Sequence, residues 1–149
     1  MVPADQPGAA PLAIGASQSS ALAAMRVCES VEAGHSRLDD TARIVQHLGA
    51  GGHPARLDSQ CKYAVVARGQ ADAYLRLPTQ RSYVEKIWDH AAGAIVATEA
   101  GAVVTDILGQ ALDFSRGTGL TANRGVVCAA PGYHAALLAA IAALGVGED

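Results

Sequence analysis

Positive charge is scarce and scattered in this sequence. Lys and Arg number 11 against 14 Asp and Glu, none stands before Arg26, and no run of five basic residues occurs. This excludes nucleic-acid binding by bulk electrostatics, which needs a basic face, and it argues against a secretory n-region or an Arg-rich transit peptide. A compact site for a small anion stays open, because a few side chains suffice for one. Cysteines number 3, at the widely spaced positions Cys28, Cys61 and Cys128, without a CxxC pair. They read as reduced thiols acting as small buried hydrophobes in a cytosol-like compartment. The longest apolar run, "YHAALLAAIAALGV", is too short to span a bilayer and follows a Pro-Gly turn, so it reads as a closing helix. P-loop, HExxH and GxSxG motifs are all missing, and no internal repeat occurs.

What is present suits one globular domain: 149 residues, 50% of them hydrophobic. A chain of this size buries roughly two thirds of the surface its unfolded form exposes. Residues 1–24 are rich in Ala, Pro, Gly and Ser, carry one charge (Asp5) and show no sustained periodicity. They read as a flexible lead-in, with one α/β domain over residues 25–149. "MRVCESVEA" predicts a strand over Val27 to Val31. "SRLDDTARIVQHLGAGG" predicts a helix with Leu38, Ala42, Val45 and Leu48 on one stripe and Gly49 as its stop. A short strand in "ARLDS" and a short helix in "SQCKYAVVARGQ" follow. "ADAYLRLP" alternates Ala73, Leu75 and Leu77 against Asp72, Tyr74 and Arg76, the pattern of a half-buried strand. "WDHAAGAIVATEAG" predicts a helix with Ala92, Ile95, Val96 and Glu99 in register and Gly101 beyond its end. "AVVTDI" and "GVVCAA" are strands. Strands alternating with helices imply an α/β layered sheet with helices on both faces, whose ligands gather at loops beyond strand ends.

Candidate site residues fall at element ends. Asp89, next to the only Trp, opens a helical run and has two readings: an N-cap accepting orphan amides, or a carboxylate ligand for Mg²⁺ with a phosphate nearby. Composition alone favours the cap. Glu32 and His35 have the spacing of a di-iron half-site, but the second copy and the helical bundle that chemistry needs are missing. "AGHS" therefore reads as a loop after a strand. Ser59, Lys62 and Arg76 lie on consecutive elements. A point-charge Lys with a planar Arg is a sensible pair for phosphate, while ordinary surface charge explains Lys62 taken alone. Trp88 reads as core.

"EKIWDHAAGAIVATEAGA" resembles the C-terminal signature of the inositol monophosphatase superfamily. "CESVEAGHS", "LDSQCKYAVVARGQADAYLRLP" and "YVEKIWDHAAG" together resemble its 3'(2'),5'-bisphosphate nucleotidases, from about Arg26 to the end. The resemblance implies the C-terminal half of an αβαβα sandwich. It also implies a Mg²⁺-dependent phosphatase that converts adenosine 3',5'-bisphosphate to AMP and phosphate. It makes Asp89 a metal ligand and places His35, Ser59, Lys62 and Arg76, with Asp89, around the nucleotide, which raises the ligand reading of Asp89 above the cap. The superfamily's N-terminal Asp-Pro-Ile/Leu-Asp-Gly-Thr motif has no counterpart, because no Asp-Pro dipeptide occurs. The expectation is therefore a fragment that keeps part of the nucleotide pocket, loses most or all turnover, and self-associates through the apolar face left by the missing half. A non-catalytic nucleotide-binding module and an inositol phosphate phosphatase are the alternatives. No nucleic-acid or membrane partner is expected. The expected location is cytoplasmic, with an organelle as the other option.

Overall fold

The computed structural model describes residues 11–32, 38–80 and 82–147. Its elements run β1 (Val27–Ser30), α1 (Leu38–His47), β2 (Ala55–Leu57), α2 (Cys61–Ala67), β3 (Ala73–Arg76), α3 (Ala91–Glu99), β4 (Val103–Thr105), β5 (Val126–Ala129) and α4 (Pro131–Ala143). Short 3-10 turns occupy Leu22–Ala24 and Ile87–Asp89. The five strands form one mixed sheet in the order β2-β1-β3-β5-β4. β1 runs parallel to β2 and β3, and β5 runs antiparallel to β3 and β4. Helices α2 and α3 pack on each other over one face, and α1 packs with α4 over the other. Among the described residues no helix is long and apolar enough to cross a membrane.

β1, β3 and β5 are buried along their whole length. β3 is therefore not the half-buried strand its alternation predicts. Helices cover both faces, so Tyr74 and Arg76 are buried as well as Ala73 and Leu75. Asp72, just before the strand, is buried too. Its carboxylate accepts from the Arg26 backbone amide (2.8 Å) and from Nε and Nη2 of the Arg26 guanidinium (each 2.9 Å). This fork ties the start of β3 to the start of β1.

Helix faces also depart from the predicted stripes. In α1 the buried set is Asp40, Thr41, Ile44 and Val45, while Ala42 is exposed. In α3 the small residues Gly93, Ala94 and Ala97 face the core, and the larger Ile95 and Val96 are 56% and 45% exposed. Steric need explains the reversal. A Cβ on Gly93 would lie 2.2 Å from Cδ2 of Tyr63 on α2, so the two helices meet where one of them has no side chain. The outer face of α3 is thus apolar and open, with Ile14 and Phe114 also exposed. Trp88 is 60% exposed rather than core, because the turn at Ile87–Asp89 lifts it out of the layer.

The described part of the expected lead-in lies on the domain. Ala16 is buried and its amide donates to Ala100 O (2.8 Å). The Tyr133 hydroxyl of α4 donates to Ser19 Oγ (2.7 Å).

Two outcomes test this packing. Gly93→Ala forces overpacking against Tyr63 and should cost about 1–3 kcal/mol, read as a lower midpoint in denaturant melts. Cys28 and Cys128 are buried, and burial pushes the Cys28 thiol up to about 12, whereas Cys61 is exposed, contrary to its expected burial. Under native conditions a thiol reagent should therefore label Cys61 alone, with Cys28 and Cys128 reacting only after denaturation. Rapid native labelling of either buried thiol would contradict the packing.

Candidate functional site

The parallel strands β1 and β3 end on the side where α2 begins. Cys28 Sγ meets Lys62 O of α2 (3.8 Å), and the Tyr63 and Tyr74 rings meet edge to face with centroids 5.0 Å apart, so these side chains share the α2 side of the sheet. Two residues further along each strand, Ser30 and Arg76 take the same side. They border a cavity of about 350 Å³ that Ser59, Lys62, Tyr74 and Asp89 also line. Ligand pockets of α/β sheets sit in such places, beyond the carboxyl ends of strands.

The β2–α2 connection is shaped by its polar residues. Asp58 Oδ1 accepts from the Ser59 amide (2.6 Å), and Ser59 Oγ accepts weakly from the Cys61 amide (3.4 Å). Ser59 is the one non-glycine among the described residues with positive φ, at 53°. That conformation costs energy in an L-residue and recurs at binding sites. Lys62 turns back on this loop, its Nζ donating to Ser59 O (2.7 Å) and Leu57 O (3.3 Å) and lying 5.2 Å from the Tyr74 ring centroid. Burial pulls the ammonium below its ordinary pKa, an effect that nearby Arg76 reinforces and Asp58 opposes. Lys62 is therefore a fixed charge in the cavity wall and not a solvated surface lysine.

Asp89 does not cap α3. The helix has His90 at its N-cap with no side-chain cap bond. Gln60, from the start of α2, does the work from outside: Oε1 accepts from the Gly93 amide (2.6 Å) and Nε2 donates to Trp88 O (2.8 Å). The Asp89 carboxylate is exposed at the cavity and has no hydrogen bond among the described residues. Of the residues expected at the site, Ser59, Lys62, Arg76 and Asp89 are thus brought together. His35 lies outside the described residues.

Sequence reading missed the network behind the wall. Arg76 Nε donates to Glu85 Oε1 (3.0 Å), Glu85 Oε2 meets His90 Nε2 (3.1 Å), and His90 Nδ1 meets the Tyr63 hydroxyl (2.7 Å). A carboxylate only accepts, so a neutral His90 carries its proton on Nε2 and accepts from Tyr63 at Nδ1. The available signal lies in "YVEKIWDH", where Glu85 and His90 flank the Trp-Asp pair.

Burial pushes the Glu85 carboxyl up, but hydrogen bonds from His90 and Arg76 and the Arg76 charge together outweigh it. The group therefore sits below its ordinary value of 4.5. A carboxyl depressed in the folded state stabilises the fold above its ordinary value, and that contribution is lost as pH falls through the folded value. Wild type should therefore be more stable than Glu85→Gln at pH 7, with the gap closing on acidification below 4.5. Urea melts across that range check it, and a gap independent of pH would refute it.

Comparison with known proteins agrees on one lineage. The model of the inositol monophosphatase family matches residues 10–145. The chain is 54% identical to a 3'(2'),5'-bisphosphate nucleotidase of Emericella nidulans over 114 residues, 76% of this chain and 32% of that protein. It is 47% identical to one of Schizosaccharomyces pombe over 119 residues, 80% of this chain and 34% of that protein. Among solved structures, an inositol monophosphatase from Anabaena (Nostoc) aligns at a TM-score of 0.65 and 23% identity, covering 89% of this chain and 50% of the other. The chain thus spans about a third of the length of the curated relatives it matches and half of the solved one.

Proposed function

The chain belongs to the inositol monophosphatase family, and from that premise we propose that it forms the nucleotide-binding part of a 3'(2'),5'-bisphosphate nucleotidase, corresponding to the C-terminal half of the sandwich. One observation carries the reading: Lys62 and Arg76, two buried cations on different elements, converge with Ser59 and Asp89 on a single cavity. Glu85 answers the Arg76 charge, but among the described residues the Lys62 ammonium donates only to backbone carbonyls, so burying it is costly unless something anionic shares the space. A phosphorylated nucleotide does so. Lys62 would act on it as a fixed point charge and Arg76 as a donor fork, with the Ser59 hydroxyl at the loop tip. Tyr83, 42% exposed and lining the same cavity, offers a ring to the base. His35 is assigned to the same nucleotide on the strength of the family resemblance alone.

The described residues do not make a seat for Mg²⁺ by themselves. Among them no group of three or more His, Cys, Asp and Glu stands together. Two carboxylates line the cavity, Asp58 with one bond from the Ser59 amide and Asp89 with no hydrogen bond among the described residues. A hard divalent cation takes six or more oxygen ligands, from carboxylates, carbonyls, waters or the substrate itself. We therefore assign Asp89 a share of a metal site and not a whole one. Phosphate ester hydrolysis further needs an activated water and a neutralised leaving oxygen, for which these residues provide no complete set. Binding without turnover is the behaviour expected of this polypeptide on its own.

Titration calorimetry tests the assignment. Adenosine 3',5'-bisphosphate should bind more tightly than AMP, and inositol 1-phosphate should bind weakly. Arg76→Ala should weaken bisphosphate binding roughly 10- to 100-fold, the weight of one or two charge-assisted hydrogen bonds. Absence of bisphosphate binding, or equal affinity for the inositol phosphate, would sink the nucleotide assignment. Phosphate release at an enzyme-like rate by the unaided chain would sink the division of labour.

A further inference from the structure

Arg76 has three successive supports behind it, and none of the site residues expected from the sequence includes them. Tyr63, His90, Glu85 and Arg76 form one line of hydrogen bonds that crosses from α2 through the segment before α3 to β3. All four side chains belong to residues no more than 7% exposed. The line is anchored at several points. The Glu85 carbonyl accepts from the Leu120 amide (2.8 Å), and Lys86 bridges antiparallel to Gly119, so the backbone beneath the carboxylate is held against the 118–120 stretch. Tyr63 is held by the missing side chain at Gly93 and by the edge-to-face contact with Tyr74. Arg76 is therefore a long side chain seated before any ligand arrives, engaged by Glu85 through Nε while the residue lines the cavity.

We propose that Glu85, braced through His90 by the Tyr63 hydroxyl, is the positioning residue that fixes the Arg76 guanidinium for the phosphorylated ligand. This rests on the nucleotide reading of the cavity. The geometry favours positioning over a plain stabilising ion pair, because one end of the line is a cavity wall. The other end, Tyr63, contributes only a hydroxyl to the line and touches neither Arg76 nor Glu85 in it. Preorganised cations bind more tightly because the cost of ordering them has been met in the free protein.

Charge and position pull in opposite directions here, which makes the test discriminating. Glu85→Ala removes a negative charge near an anion site and should tighten binding if charge alone matters. It also frees Arg76 and should weaken binding if position matters. Glu85→Gln removes the same charge but keeps the shape: its Oε1 accepts from Arg76 Nε, and its amide donates to His90 Nε2 once the His90 proton sits on Nδ1 and is donated to the Tyr63 oxygen. The measurement is the Kd of adenosine 3',5'-bisphosphate by calorimetry, alongside the NMR signal of the Arg76 Nε–H group, assigned by its loss in Arg76→Lys. Glu85→Ala should bind about tenfold more weakly than wild type, the loss of one charge-assisted bond's worth of order, with its Arg76 signal broadened by exchange with water. Glu85→Gln should recover both affinity and signal. Tyr63→Phe, which keeps the ring and removes only the far hydroxyl, should shift the same way as Glu85→Ala by a smaller factor.

Equal affinity of the Ala and Gln variants, or an Arg76 signal unchanged in Glu85→Ala, would overturn the proposal. If Glu85→Ala does not fold, Tyr63→Phe decides: affinity and signal both unchanged would overturn it. If wild type does not bind the bisphosphate, the nucleotide reading fails by itself, and the Arg76 signal across the variants still decides whether Glu85 holds the guanidinium.

Discussion

The contact on which the site depends is the one between Gly93 and the Tyr63 ring. With no Cβ at Gly93, α3 comes close enough to α2 for the starts of both helices to face one cavity. Three things follow from that distance. Gln60 can reach across from α2 to cap α3 at the Gly93 amide. The Tyr63 hydroxyl can reach His90. Lys62, one residue before Tyr63, and Asp89, one residue before His90, end up on the same cavity wall although 27 positions separate them in sequence. A helix with a larger residue at that contact would keep its secondary structure and lose the convergence.

The cavity is stiff behind and open in front. Lys62 is tied to loop carbonyls, Ser59 holds a left-handed backbone, and Arg76 is held by a buried carboxylate. Each arrangement costs conformational or desolvation energy in the free protein. A core built only for stability would replace them with apolar residues. Packing elsewhere offsets that cost, here through the fully buried strands β1, β3 and β5.

Much of the fold was legible in the sequence because periodicity and breakers locate elements well. Every predicted strand and helix from Val27 onward appears. What failed was the choice of face. The apolar residues Ala92, Ile95 and Val96 gave α3 a convincing stripe, but the close approach at Tyr63 selects the small residues Gly93, Ala94 and Ala97 for the interior. Size complementarity between two helices is a tertiary fact that one helix's pattern does not contain. Likewise the alternation in "ADAYLRLP" assumes one wet face, and only the presence of helices on both sides turns Arg76 inward. Of the cavity lining, Ser59, Lys62, Arg76 and Asp89 stand out by their chemistry in the sequence, whereas Glu85, His90 and Tyr63 acquire meaning only from contacts 5 to 27 positions apart.

Glu85 and Asp89 show how the same functional group takes opposite roles over four residues. Glu85 is buried, twice hydrogen-bonded and depressed in pKa by its partners. Asp89 ends a short 3-10 turn, is exposed at the cavity and has no hydrogen bond among the described residues. A carboxylate already satisfied by two protein donors has little left to offer a ligand, and its charge is spent on Arg76. Asp89, with no hydrogen bond among the described residues, keeps its oxygens exposed beside a cation-bearing wall. Glu85 sits in non-helical backbone just before Lys86 bridges Gly119, whereas Asp89 ends the turn at Ile87–Asp89, so the two carboxylates leave the chain from different local structures. The segment thus supplies one acid that holds the protein's own cation and one that stands exposed at the cavity.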